Sequence, residues 1–214
     1  MFAAADSISP KTIEQRLVEF REIVRGRMLP AFESAGVPYP PAAMTMIALK
    51  RERRLELYAA GADGVFRFIR VYPILAASGS PGPKLREGDR QVPEGSYNVQ
   101  SLNPNSRFHL GLRLDYPNDF DRERAAADGR TSLGGDIMIH GAAASKGCLA
   151  MGDPAAEDLF VLVALVGVGN VQVIIAPSDF RSVAPSAAAN APAWTADLYA
   201  QIARELVHYR KPEL

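Results

Sequence analysis

From Met44 to Leu75 the chain sets short runs of β-branched, aromatic and other apolar residues between two breaks, Arg51-Glu52-Arg53 and Gly61-Ala62-Asp63-Gly64. Runs of this length, bounded in this way, predict successive β-strands joined by turns. The Arg51 to Arg54 charges fall on one of those turns, where a charge run marks a solvated connection. Further strands are expected at Phe108 to Leu114 and, as a final core strand, at Val171 to Ala176. A chain of 214 residues with 48% hydrophobic content can bury a sizeable core in one domain with terminal additions.

Helical periodicity appears at the two ends. Ile13, Leu17, Phe20, Val24 and Met28 recur every three or four residues and share one helical face across 12–34. Pro30 predicts a kink or stop, and Gly36 to Pro41 reads as a linker into the β region. Asp153-Pro154 has the pattern of an N-cap followed by a first-turn proline, with a helix over 155–166. Ser182 to Ala193 is a linker of small residues and proline, and Trp194 to Tyr209 a terminal amphipathic helix with Leu198, Ile202 and Leu206 on one face. The expected organisation is a helical segment over 1–41, a β-rich domain over 42–180, and a linker with a helix over 181–214.

Several function classes lack support. Lysines and arginines number 24, as do aspartates and glutamates, so there is no electrostatic case for nucleic acid or a membrane surface. The most apolar stretch, Phe160 to Val168, falls well short of the roughly 20 residues that cross a bilayer. A single cysteine excludes an internal disulfide, and with His109, His140 and His208 far apart no zinc spacing exists. No metal or cofactor is expected.

Chemistry concentrates in residues 137–153. Alternation predicts a short strand with Ile137 and Ile139 on one face and Met138 and His140 on the other, so the imidazole stands where the strand enters a loop of small residues. Eight positions later comes Cys148, with Ser145 and Gly147 letting the backbone crowd around it. A neighbouring imidazole can take a thiol proton and hold the ion pair, which predicts a thiol below its reference near 8.5. In this reading Cys148 is the nucleophile and His140 the base. Backbone N–H groups at Gly147 and Cys148 are the expected oxyanion donors, because glycine permits close approach. His109, outside any glycine-rich setting, reads as structural, and Asp153 as a cap. Asp136 lies four strand residues, about 13 Å, from His140 and is too far to orient it.

His140-Gly141 followed by Ser145-Lys146-Gly147-Cys148 resembles the His-Gly and Ser-His-Gly-Cys signature of the L,D-transpeptidase catalytic domain family (YkuD-like). Gly82-Pro83-Lys84, Glu87-Gly88-Asp89 and Val92-Pro93-Glu94-Gly95-Ser96-Tyr97 resemble a second segment of that family, and the likeness runs from about residue 42 to 180. Two positions depart from it: Lys146 replaces the usual histidine and Ala150 the usual arginine. With the short His140 to Cys148 gap and Cys-Leu-Ala-Met at 148–151, the chain looks most like the YafK-like murein branch, which includes an amidase releasing a lipoprotein from peptidoglycan.

The resemblance implies a mainly β fold with flanking helices, an L,D-transpeptidase-like mixed-sheet β-sandwich. It implies a thioester acyl-enzyme formed on a peptidoglycan stem peptide at a diaminopimelate L-centre, with a carbonyl at or near Gly141 orienting His140. The acceptor decides between transpeptidase and amidase or hydrolase, and an outer-membrane protein or lipoprotein is one possible partner. Gly79 to Gly95, a structured loop, is expected at the mouth of the cleft. Ser145, Lys146, Arg107, Tyr116 and Asn118 are candidate substrate contacts. For Lys146 three roles stay open: keeping the loop electropositive, binding a substrate carboxylate, or facing solvent. An alternative is a catalytically inactive peptidoglycan-binding module, and an unrelated cysteine hydrolase is a third reading. The implied location is the periplasm or cell envelope; Met1 to Asp6 lacks the basic and apolar regions of an export signal, which is expected to be absent from these residues.

Overall fold

A computed structural model describes residues 9–213, and the Met1 to Asp6 start considered above lies outside the described residues. The first half of the domain is a meander, β1 (Met44–Leu49), β2 (Arg54–Ala60) and β3 (Phe66–Pro73), paired antiparallel in that order. The turns fall where the sequence places them. After β4 (Ala76–Ala77) and the glycine-rich loop come β5 (Gly95–Ser106) and β6 (His109–Leu114), then β7 (Met138–His140), β8 (Leu149–Ala150) and β9 (Val171–Ala176). The helices are α1 (Ile13–Ala35), α2 (Asp119–Ala127), α3 (Asp153–Val166) and α4 (Thr195–Leu206).

Pairing joins all nine strands in the order β3-β2-β1-β9-β5-β6-β7-β8-β4. The sheet is mixed, with β1/β9 and β7/β8 parallel and the other pairs antiparallel. The long strand β5 links its halves: Gly95 to Asn98 pair with β9, and Val99 to Ser106 with β6 through register shifts.

Alternation along the central strands explains why both faces carry helices. On β1, Met44, Met46 and Ala48 join the cluster beneath α1 and α3, while Ile47 and Leu49 join the one beneath α4. β9 divides in the same way, with Val171, Val173 and Ile175 on the first face and Ile174 and Ala176 on the second. A strand buried on both faces reads as a nearly continuous apolar run, as these do. From α4, Leu198, Ile202 and Leu206 all bury in the second cluster. Among the described residues no helix is long and apolar enough to cross a membrane.

β4, β5 and β8 carry no strand expectation from the sequence, and two helices differ from expectation as well. α1 runs through Pro30 to a C-cap at Gly36, with a capping box from Thr12 and Gln15 at its start. An interior proline costs about 3 kcal/mol. Beyond it, Phe32 and Val37 are buried, and at about 1.5–3 kcal/mol per large side chain their burial offsets that cost. α2 has no signal in apolar periodicity because only Ala125 of its residues is buried. Its start is set instead by a capping box between Asn118 and Asp121.

Candidate active site

The parallel β7/β8 pair builds the site. Ile139 lies opposite Leu149 and His140 opposite Ala150, so continuing the register by one residue puts Cys148 beside Met138. Paired residues in parallel strands point to the same face, and Met138 and His140 share a face by alternation. Cys148 itself precedes β8 in a bend, so the pairing brings the segments that carry Cys148 and His140 side by side, roughly 8 Å apart at Cα by strand spacing.

His140 is buried, and its Nδ1 lies 2.6 Å from the Gly141 carbonyl oxygen. A carbonyl only accepts, so Nδ1 carries the proton and Nε2 is the free base. Gly141 must be glycine. A Cβ there would come within 2.5 Å of Asp153 Oδ1 and 2.7 Å of the Phe108 carbonyl oxygen.

Asp153 corrects the expectation of a helix cap. The N-cap of α3 is Gly152, which gives no side-chain cap, and Asp153 begins the helix itself. Its Oδ1 accepts the Ala142 N–H at 2.8 Å, while Gly152 N–H donates to Ala142 O at 2.9 Å. The carboxylate thus secures the chain just after His140, where Ala142 takes a φ of 55°.

Serine hydroxyls hold the other end of the loop. Ser145 Oγ accepts the Cys148 N–H at 3.0 Å and donates to Cys148 O at 2.5 Å. Ser78 Oγ accepts the Gly147 N–H at 2.7 Å and donates to Arg90 O at 2.7 Å. Both N–H groups expected to serve as oxyanion donors are engaged by these hydroxyls. Ser145 is accordingly a loop brace.

The glycine-rich loop reaches the site through Arg90. Asp89 accepts from Leu85, Arg86 and Gln91 N–H groups and pairs with Lys84 Nζ at 2.6 Å, closing the loop on itself. Lys50 from the end of β1 anchors it, with Nζ 2.7 Å from Glu94 Oε1 and 3.0 Å from Val92 O.

The electrostatics differ from the expected ion pair. The thiol lies 3.6 Å from Asp136 O and is pushed above its ordinary value by burial, the Met138 N–H opposing and Asp136 adding to the shift. His140 is pushed down by burial, which outweighs its bond to Gly141 O. Desolvation disfavours both charged forms, which runs against a thiolate–imidazolium pair formed at rest.

Between the glycine-rich loop and the segment entering β7 lies a cavity of about 380 Å³, lined by Lys84, Arg90 and Lys146 and, opposite in sign, by Glu87 and Asp136. Lys146 is exposed on its rim. Arg107 is exposed at the tip of the β5–β6 turn. The other two candidate contacts are engaged in the fold. Tyr116 is buried, with its hydroxyl donating to Leu133 O at 3.2 Å. Asn118 caps α2, accepting from Asp121 N–H and donating from Nδ2 to Ser96 O at 3.0 Å. His109 also has a structural partner, Glu157, at 3.1 Å. Among the described residues no cluster of three or more histidine, cysteine or carboxylate side chains could hold a metal ion.

A cysteine and a histidine with a free ring nitrogen, carried on adjoining segments of a mixed sheet, are the residue types that nucleophilic acyl transfer uses. Residues 44–175 match YkuD, the L,D-transpeptidase catalytic domain, and the chain belongs to that family. It is 38% identical over 133 residues to YafK of Escherichia coli strain K12, provisionally named an L,D-transpeptidase, and to its counterpart in strain O157:H7. That match takes in 60% of this chain and 51% of the relative, so the chain spans about half the length of the curated relatives it matches. Among solved structures, the helical cell shape determining protein Pgp2 from Campylobacter jejuni shares the fold, with a TM-score of 0.51 at 21% identity over 77% of this chain and 54% of that one.

Proposed function

We propose that the protein is a cysteine-dependent acyltransferase of peptidoglycan, working on a stem peptide at a diaminopimelate L-centre through a thioester at Cys148. The observation that supports this reading is the β7/β8 pairing, which brings the segment bearing Cys148 next to the one bearing His140, whose Nδ1 is held by Gly141 O and whose Nε2 is left to accept a proton.

In the first half-reaction His140 Nε2 takes the thiol proton as Cys148 Sγ attacks the donor carbonyl. The C–N bond then breaks and the same proton passes to the departing amine, leaving a thioester. In the second, an amine or water attacks the thioester carbonyl and gives a proton to Nε2; the C–S bond breaks and that proton returns to Sγ, restoring the thiol. A stem amine or protein amine as acceptor makes a transpeptidase; water makes an amidase or hydrolase. An outer-membrane protein or lipoprotein attached to peptidoglycan is one such partner, and the periplasm or cell envelope the corresponding location.

The tetrahedral oxygen needs donors. Gly147 and Cys148 N–H groups supply them once the substrate oxygen displaces the hydroxyls of Ser78 and Ser145. The cationic wall of the neighbouring cavity suits a carboxylate carried by the stem peptide, and this supports the carboxylate-binding role for Lys146, with Arg90 beside it. Arg107 is a further proposed contact from the turn tip.

Incubation with purified muropeptides, with products read by mass spectrometry, tests the reading. New cross-linked or shortened muropeptides are expected from the wild type and from neither Cys148→Ala nor His140→Ala. Binding without any product would favour the inactive binding module instead.

A further inference from the structure

Phe108 is a large aromatic side chain that the core does not claim. It is 40% exposed, yet its ring centroid lies 4.6 Å from that of His140 with 23° between the planes. That is a stacked geometry. Phe108 sits with Arg107 in the two-residue turn between Ser106 and His109, which are paired at the end of β5 and β6.

The turn is held from several directions. His109 adopts a φ of 71°, a region that side-chain-bearing residues seldom occupy. Its Nε2 meets Glu157 of α3 at 3.1 Å, and its ring stands edge-on to Phe20 of α1 at 5.4 Å. Glu157 is tied in turn to Arg27 of α1 at 2.8 Å. The Phe108 carbonyl and the His109 Cβ press on Gly141, and the Phe108 N–H donates to Ser106 Oγ at 3.0 Å. The same turn therefore packs against the residue that bonds His140 and delivers a ring over the imidazole.

We propose that Phe108 is a positioning residue for His140: its ring closes one face of the imidazole and, with Nδ1 held by Gly141 O, fixes the plane in which Nε2 receives a proton. This rests on the reading of His140 as the base. The hydrogen bond at Nδ1 sets the tautomer and ties the ring at one atom, so a swing about the bond to Cβ is opposed there by that bond alone. Such a swing would carry the imidazole through the space that Phe108 fills. The ring also keeps water from that face, in keeping with the downward push that burial exerts on His140.

The test uses the full chain with Phe108→Ala, Phe108→Leu and Phe108→Tyr, following the His140 imidazole by NMR titration and turnover of muropeptides across pH. In Phe108→Ala the His140 midpoint should rise by about half a pH unit towards its reference value. At the same time kcat should fall about tenfold with little change in KM, and the pH profile should follow the moved midpoint. Phe108→Tyr should restore both properties and Phe108→Leu neither. An unchanged His140 titration in Phe108→Ala, or full rescue by leucine, would overturn the proposal. Should Phe108→Ala not fold, the leucine and tyrosine variants decide by the same two readouts. Turnover that survives His140→Ala would instead remove the base reading itself, so the two failures are distinguishable.

Discussion

Cys148 lies one residue before β8, and extending the register of β7 and β8 sets it beside Met138, two residues from His140. The parallel pairing makes this possible with a loop of small residues between them. It also leaves the thiol against the backbone of β7, 3.6 Å from Asp136 O.

That placement makes substitution of the nucleophile a clean test. Cys148→Ser and Cys148→Ala are expected to abolish muropeptide turnover while shifting unfolding free energy by no more than about 1 kcal/mol. Denaturant melts alongside the mass-spectrometric assay check both. Turnover retained in either variant removes the thioester route.

The resting ionisation gives a pH prediction. Burial pushes the Cys148 thiol up and the His140 imidazole down. In the free protein, alkylation of Cys148 should therefore rise with pH along a midpoint above that of an ordinary thiol, and His140 should titrate below about 6.5. Intact-mass labelling across pH and NMR titration read these values. A labelling midpoint well below about 8.5 would show an ion pair already formed in the resting protein.

Gly141→Ala is expected to disable the site through the backbone. Its Cβ would press on the Phe108 carbonyl and on Asp153, neither of which is the far end of a long flexible side chain. A loss of about 1–3 kcal/mol of stability, of the size overpacking brings, should accompany loss of turnover. Near-wild-type melting and activity would mean that the β7 turn yields freely.

Lys146 stands exposed on the rim of the cavity between the glycine-rich loop and the segment entering β7. Lys146→Ala should raise KM for a carboxylate-bearing donor about tenfold, with Lys146→Glu worse and thermal stability unchanged. Kinetics with a donor amidated at that carboxylate separate the roles. Equal losses on both donors would exclude carboxylate binding.

Asp121 supplies a stability test away from the site. Burial pushes its carboxyl up to about 6, although the Asn118 N–H and Tyr97 hydroxyl oppose the shift. A folded-state value above the ordinary one means that the contribution to stability is full below about 4 and lost as pH rises through about 6. Asp121→Asn should thus gain on the wild type by about 1–2 kcal/mol between pH 4.5 and 7.5, a figure lowered for partial solvent screening. Denaturant melts of both proteins at the two pH values measure it; a difference independent of pH would contradict the buried charge.

The elements legible in the chain were those whose signal is local. Apolar runs and turn residues mark β1 to β3, a beat of three or four residues marks α1, and the His-Gly and Ser-Lys-Gly-Cys segments mark the loop between β7 and β8. Where local signals mislead, burial at a distance is the cause. Pro30 is carried within α1 by what lies buried beyond it, and α2 escapes notice because its faces are mostly solvated.

The sequence by itself determined the strands β1 to β3, β6, β7 and β9, the helices α1, α3 and α4, the chemistry available at His140 and Cys148, and the loop that joins them, because all of these follow from spacing along the chain. Only the tertiary structure decided what surrounds that pair. Ser78 bonds Gly147 from 69 positions away, Asp153 holds the Ala142 N–H rather than capping α3, and Phe108 stacks on His140 from a separate hairpin. These partners are selected by strand register and by packing summed over both clusters. Neither quantity is carried by any short stretch of residues, so the desolvation that pushes the Cys148 thiol up and the His140 imidazole down appears only once the chain is folded.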